Sequence, residues 1–138
     1  MKKLIFGYGT TGKSVEKYFQ KNDIKYYIYD DDDSIKINQE AVFYENKLSE
    51  IDEVIISPGV MPTHKLLSKI NKFGISIITD IDLFNNVYNG KIIGVTGTNG
   101  KTTFTNLLND FFNSQGIKSS AVGNIGASPL EIIDKEYE

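Results

Sequence analysis

The chain has no cysteine, a single histidine and no long apolar run, and each shortage removes a class of protein. Without cysteine there is no disulfide framework and no thiolate-ligated metal, and a thiol-free chain fits a reducing compartment. No hydrophobic stretch approaches the roughly 18 residues that a membrane span needs. The opening Met1-Lys2-Lys3-Leu4-Ile5-Phe6-Gly7 has the basic start of a signal peptide but not its length, because Gly7-Tyr8-Gly9 ends the apolar segment as a turn does. A first β-strand is the better reading, and a cytoplasmic protein the expectation. Positive charge is not in excess either: 15 Lys+Arg stand against 18 Asp+Glu, so nothing suggests a nucleic-acid binder working by bulk electrostatics. What is there is a chain of 138 residues, 40% hydrophobic and 24% charged, the balance of a soluble globular protein. That length suits one ordinary domain, or a small domain and part of another.

Strand and helix signals alternate from the first residue. Residues 3–6 form a short apolar strand, 7–12 a glycine-rich turn, and 13–21 carry Val15, Tyr18 and Phe19 at helical spacing. Strands are expected at 25–29, 41–44 and 53–57, the last stopped by Pro58-Gly59. Thr63 is placed to cap a helix over 64–73 whose buried stripe is Leu66, Leu67 and Ile70, with Gly74 ending it. A fifth strand follows at 75–78, then a short helix to Val87 capped by Thr79 or Asp80. Asn89-Gly90 marks the expected boundary between a domain at 1–89 and the start of a second at 90–138. In the second, a strand at 91–95 leads into a glycine loop. A helix to about Ser114 with Phe104, Leu107, Leu108 and Phe111 inward comes next, then a strand at 119–122 and a last helix from Ser128 to about Lys135. Strict alternation implies right-handed crossovers and parallel strands covered on both faces. The fold expected is α/β: a Rossmann-like domain with a five-stranded, mainly parallel sheet, then the incomplete start of a P-loop ATPase domain.

Two glycine loops carry the chemistry. Gly7-x-Gly9-x-x-Gly12 follows a strand and opens a helix, where glycine lets a phosphate approach the backbone and the helix N-terminus offers free N–H groups and partial positive charge. Asp30 ends the second strand, the place where an acidic side chain meets a ribose hydroxyl. The motif alone admits NAD or FAD, and so a redox or regulatory module. A dinucleotide, however, needs two mononucleotide halves of sheet, and a domain ending near residue 89 suits a single nucleoside diphosphate better. The second loop, Gly97-Thr98-Asn99-Gly100-Lys101-Thr102, lies between an apolar strand and an amphipathic helix. Its amides can cradle phosphates, Lys101 can neutralise the β/γ oxygens of ATP, and the Thr102 hydroxyl can ligand Mg²⁺. It is a variant loop, since Val95 stands where the usual eight-residue pattern has its first glycine.

Other conspicuous residues have plainer readings. His64, at a helix start, reads as a surface or capping residue. The run Asp30-Asp31-Asp32-Asp33 lacks the alternating spacing of a calcium loop, so Asp32 and Asp33 read as solvated. The tyrosines and phenylalanines fall mostly at strand and inner-helix positions and default to core.

The segment from Gly94 to Thr103 (Gly-Val-Thr-Gly-Thr-Asn-Gly-Lys-Thr-Thr) resembles the ATP loop of the Mur ligases and their folate-ligase relatives. Ile56-Ser57-Pro58-Gly59, Asp80-Ile81-Asp82-Leu83-Phe84 and Gly123-Asn124-Ile125-Gly126 resemble the D-glutamate-adding branch of that family, in matching order over essentially the whole chain. The folate-type alternative fits less well, since it lacks the leading glycine-loop domain. The resemblance implies an ATP- and Mg²⁺-dependent ligation of D-glutamate to UDP-N-acetylmuramoyl-L-alanine in peptidoglycan precursor synthesis. The substrate carboxylate attacks the γ-phosphate of ATP, giving an acyl phosphate and ADP, and the amine then displaces phosphate. It further implies that Gly9, Thr10, Thr11 and Gly12 face the diphosphate, Asp30 and Asp31 the uridine, and that Ser57 and Gly59 line the same cleft. Asn124 would reach the muramoyl part. Gly97 to Thr103 would hold ATP, with Lys101 and Thr102 catalytic. Asp32 departs from the family, standing where a neutral or basic residue is expected on the uracil side. A chain ending at Glu138 is too short to complete the ATPase sheet, so this piece is expected to bind without catalysing. Residues 90–138 would expose apolar strand edges, so they are expected to pack irregularly on the first domain, to pair with another chain in self-association, or to be poorly ordered, whereas the full-length protein is expected to be a monomer.

Overall fold

A computed structural model describes residues 1–123 and 125–133. It divides into two compact units, Met1–Leu83 and Phe84–Glu138.

The first unit is built on a four-stranded parallel sheet of order β2-β1-β3-β4, with β1 at Lys2–Phe6, β2 at Tyr26–Tyr29, β3 at Ile51–Ile56 and β4 at Ser76–Thr79. Helix α1 (Thr10–Lys21) connects β1 to β2, and α2 (Lys65–Lys72) connects β3 to β4. The period-two alternation of strand side chains decides which helix covers which face. Leu4, Phe6, Tyr27 and Val54 point to one side, where Leu66, Leu67 and Ile70 of α2 join them in the core with Phe43, Leu48 and Ile51. Ile5, Ile28 and Ile55 point to the other, the side of α1 with its buried Val15 and Phe19. Central strands buried on both faces explain why β1 and β3 read as apolar runs rather than as polar–apolar alternations.

The sheet has four strands and not five. Residues 41–44 are apolar enough for a strand but make only one bridge, Ile28↔Val42, supported by the Phe43 N–H donating to the Ile28 carbonyl at 2.9 Å. Short 3-10 turns at Gln39–Ala41, capped by Asn38, and at Glu45–Glu50 curl the chain on either side before a ladder can propagate. Phe43 is buried there because it fills the sheet edge beside the rings of Tyr27 and Tyr29.

Helix starts also moved. Helix α1 begins at Thr10, so Gly12 lies within its first turn instead of the preceding loop. Helix α2 is capped by His64 rather than Thr63, the imidazole Nδ1 accepting from the Leu66 N–H at 3.1 Å. At α3 (Asp80–Val87) the cap is Thr79: its Oγ1 accepts from the Asp82 N–H at 3.2 Å, and Asp82 Oδ2 accepts from the Thr79 N–H at 2.9 Å. This reciprocal pair satisfies two otherwise orphaned donors.

The Thr79–Asp82 cap makes stability depend on pH. The Thr79 N–H, and after it the Thr79 hydroxyl, holds the Asp82 carboxyl below its ordinary value. A lowered folded-state pKa gives stability that is present above the unfolded carboxylate value and lost as pH falls through the folded one. Asp80 works against this. Burial first of all pushes its carboxyl up, so its ionisation weakens the fold as pH rises through that raised value. Thr79→Ala is expected to cost about 1 kcal/mol at pH 7. Urea unfolding should show that deficit shrinking at pH 3; an unchanged deficit there would show that the Asp82 carboxylate plays no part in the cap.

In the second unit, α4 (Lys101–Ser114) is the one long helix among the described residues. Residues 91–95 form no strand, and Ile92 and Ile93 are exposed. The expected strand at 119–122 shrinks to the bridge Val122↔Ala127. A parallel strand exists only through its neighbours' hydrogen bonds, and no described segment here offers a ladder. Leu108 and Phe112 turn to an apolar cavity of about 580 Å³ shared with Phe84, Tyr88, Ile92 and Ile132. Phe104, Leu107 and Phe111, expected inward, are instead more than half exposed, at 56%, 62% and 58%. The expected last helix is a 3-10 turn at Pro129–Ile132, and its continuation to Lys135 lies outside the described residues. Among the described residues no helix is long and apolar enough to cross a membrane.

Candidate functional site

In a parallel α/β sheet, ligands bind beyond the carboxyl ends of the strands, where consecutive connections leave in opposite directions. Here that point lies between β1 and β3, since the chain goes from β1 to β2 on one side and returns to β3 on the other. Gly7, at the end of β1, and Ser57, just past the end of β3, meet there. The Ser57 hydroxyl donates to the Gly7 carbonyl at 2.7 Å, and the Ser57 N–H donates to the Phe6 carbonyl at 2.8 Å.

The three glycines of the first loop are needed for different reasons. Gly7 has φ +92, and a Cβ there would sit 2.8 Å from that of Ser57. At Gly12 a Cβ would overlap the Gly7 carbonyl oxygen, 3.1 Å from its carbon and 3.3 Å from Ile5 Cγ2. These two glycines are explained by the fold. Gly9 is not. It caps α1 with φ −76 and ψ −153, extended backbone with negative φ, and an added Cβ would meet nothing within 4 Å. The helix above it has no side-chain cap and no acidic residue in its first turn, where Thr10 and Thr11 sit. Gly59, on the loop after β3, has the same open surroundings.

Asp30 does more than sequence position suggested. One carboxylate oxygen accepts from the Tyr8 N–H at 2.5 Å and the other from the Asp32 N–H at 2.9 Å, so the end of β2 is tied to the glycine loop. The Tyr8 phenol is pinned the other way. It donates to Glu16 on α1, which also accepts from Tyr26 at 2.9 Å. Burial, and then the Glu16 hydrogen bond, push the Tyr8 phenol far above its ordinary range, which keeps it a donor at any physiological pH. Asp31 lies beside His64, whose Nε2 is 3.0 Å from its Oδ1, and the Tyr29 hydroxyl donates to that same oxygen at 3.0 Å. Asp32 turns away into a local turn, accepting from Ser34. Among the described residues no cluster of acidic or histidine side chains could hold a metal ion by itself.

In the second unit, Gly97 and Gly100 have φ +148 and +76, conformations that favour glycine, and Gly100 caps α4 without a side-chain hydrogen bond. Thr98, Asn99, Thr102 and Thr103 are exposed. The Lys101 ammonium curls back over the loop to the carbonyl of Gly97, with that of Thr98 at 3.5 Å. Two threonines, Thr102 and Thr103, open α4, and among the described residues no acidic or histidine cluster accompanies them, so a cation here would need ligands from elsewhere, as Mg²⁺ carried by a phosphate group would have.

The structure thus brings Gly9, Thr10, Thr11, Gly12, Asp30, Asp31, Ser57 and Gly59 to the carboxyl edge of one sheet, and Gly97 to Thr103 to one strandless loop and helix start. Asn124 lies outside the described residues. Sequence reasoning missed the tie between Tyr8 of the first loop and Asp30, and the contact between His64 and Asp31. The helix-start position of His64 signalled its cap, but nothing local signals a partner more than thirty residues away.

A four-stranded parallel sheet with a glycine loop at its switch point defines a Rossmann-like α/β domain. The family model described as "Mur ligase MurD-like, N-terminal domain" matches residues 1–79, and the chain belongs to that family. It is similar to curated proteins named UDP-N-acetylmuramoylalanine–D-glutamate ligase. With that of Buchnera aphidicola subsp. Acyrthosiphon pisum it is 39% identical over 98% of this chain and 33% of the relative. With that of Rickettsia prowazekii the figures are 38%, 92% and 30%, and with that of Thermotoga petrophila 32%, 97% and 34%. The chain therefore spans about a third of the length of these relatives. Among solved structures, the UDP-N-acetylmuramate:L-alanyl-gamma-D-glutamyl-meso-diaminopimelate ligase of Neisseria meningitides shares the fold, with TM-score 0.52 and 21% identity over 93% of this chain and 46% of that one.

Proposed function

We propose that residues 1–89 form the UDP-substrate domain, and residues 90–138 the opening of the ATP-binding domain, of a cytoplasmic ligase that adds D-glutamate to UDP-N-acetylmuramoyl-L-alanine. The observation that carries this reading is Gly9. Neither its backbone angle nor its surroundings require glycine, so the open space beside it, over uncapped helix amides, is room for a ligand's phosphate. Thr10, Thr11 and Gly12 then face the diphosphate from the first turn of α1. Asp30 and Asp31 serve the nucleoside, and Ser57 and Gly59 close the cleft from β3. Asn124 is assigned to the muramoyl part. Gly97 to Thr103 hold the phosphates of ATP, with Lys101 neutralising charge on the transferring phosphoryl group and Thr102 holding Mg²⁺, which screens the phosphate oxygens when bound. The reaction is transfer of the γ-phosphoryl to the substrate carboxylate with release of ADP, then attack of the D-glutamate amine on the acyl carbon with release of phosphate. This piece is proposed to bind without turning over.

The test is a titration followed by NMR. UDP should shift the amides of residues 9–12 and of Asp30, while NADH at equal concentration should not. Gly9→Ala should cost no more than about 1 kcal/mol, the difference between glycine and alanine as a helix N-cap, because its Cβ meets nothing, yet weaken UDP binding at least about tenfold by blocking phosphate approach. Shifts with NADH in place of UDP would make the domain a redox or regulatory module instead.

A further inference from the structure

His64 holds two hydrogen bonds that need opposite properties of its two ring nitrogens. Its Nδ1 accepts from the Leu66 N–H at 3.1 Å, so that nitrogen carries no proton. The proton of the neutral ring then sits on Nε2, which lies 3.0 Å from Asp31 Oδ1 and donates to it. The ring is held edge-on by Phe6 at 5.0 Å and by Tyr29 at 5.9 Å between centroids, and the Tyr29 hydroxyl donates to the same Asp31 oxygen at 3.0 Å. His64 is mostly enclosed, whereas Asp31 is open to solvent: their side chains are 20% and 61% exposed. Two donors on enclosed rings thus grip one oxygen of an exposed carboxylate. Among the described residues no hydrogen bond falls on its Oδ2.

We propose that His64 is a positioning residue for nucleoside binding: helix α2 fixes its tautomer, and its Nε2–H aims the Asp31 carboxylate so that Oδ2 meets a donor of the ligand. This rests on the reading of the first loop as a uridine-nucleotide site. The physical basis is entropic and directional. A free aspartate at a strand end samples several rotamers and must be ordered on binding, while one already gripped by His64 and Tyr29 is not.

The cap and the donor can be separated by substitution. His64→Asn keeps an oxygen to cap α2 and is too short to reach Asp31. His64→Gln reaches far enough to donate to Asp31 but is a poor cap. UDP affinity, measured by calorimetry, is expected to fall about five- to tenfold in His64→Asn and to recover in His64→Gln, the size of ordering one side chain on binding. Thermal stability should run the other way, lower in His64→Gln than in His64→Asn. Adding His64→Asn to Asp31→Ala should cost no further affinity. If His64→Asn binds UDP as the unaltered protein does, or if affinity follows stability across the two variants, the inference is overturned and the nucleotide reading stands. If the unaltered protein fails to bind UDP, the nucleotide reading falls and this inference falls with it.

Discussion

Gly12→Ala is expected to destabilise the protein by about 3 kcal/mol, in the range for forcing extra atoms into a packed site. The methyl group would occupy the space of the Gly7 carbonyl oxygen and press on Ile5 Cγ2 at 3.3 Å. Neither neighbour can yield freely. The Gly7 carbonyl is held by the Ser57 hydroxyl at 2.7 Å, and the Gly7 N–H by the Tyr29 carbonyl at 2.8 Å, while Ile5 is fully buried. Relief must come from lifting the first turn of α1 away from β1, which also displaces the amides assigned to the diphosphate. Urea unfolding should therefore show a lower midpoint, and UDP binding should be lost in the fraction that stays folded. The contrast with Gly9→Ala is the sharper result, because two glycines in one motif should fail for different reasons. A Gly12→Ala protein within about 0.5 kcal/mol of the parent would show that the loop and helix are not in the contact described.

Lys101→Met is expected to have the largest effect on chemistry and almost none on folding. Lys101 is exposed and its ammonium bonds only to loop carbonyls, those of Gly97 and Thr98, so removing it leaves no buried group unpaired. Folding stability should stay within about 0.5 kcal/mol, as for surface changes generally. Under the proposed function, loss of the Lys101 charge removes stabilisation of a transferring phosphoryl group, which exists mainly in the transition state. Ligation of D-glutamate by a chain of the relatives' full length should slow by about 100- to 1000-fold, while UDP binding to the first unit is unchanged. Binding of Mg-ATP, followed by calorimetry, should weaken by about tenfold or more. A Met variant with parental turnover would remove Lys101 from the ATP site and leave the loop a structural turn.

Much of the first unit was legible because its rules are local. Apolar runs at 3–6 and 53–57, broken by Gly7 and Pro58-Gly59, read as strands and match β1 and β3, while their central place came from the sheet order. Leu66, Leu67 and Ile70 at helical spacing could only be a buried stripe, and they are buried. The second unit read less well for the opposite reason. The segment 91–95 has strand composition, but a strand is a relation between segments, and no described segment pairs with it. The same reasoning covers residues 41–44, where composition promised a strand and the flanking turns allowed one bridge. Helix α4 kept its expected length while its apolar face stayed mostly exposed, since a helix satisfies its own backbone and needs no neighbour to form hydrogen bonds.

For the site, local sequence specified the shape of the two loops: glycines where the chain turns, followed at once by a helix start. Sequence also determined the family, since motif order survives without knowledge of any contact. Only the tertiary structure separated Gly7 and Gly12, which the fold requires, from Gly9, which it does not, because that distinction depends on what stands opposite each missing Cβ. Only the tertiary structure tied Asp30 to the Tyr8 amide and Asp31 to His64, since hydrogen bonds between distant segments are set by how strands register in space and leave no trace in spacing along the chain.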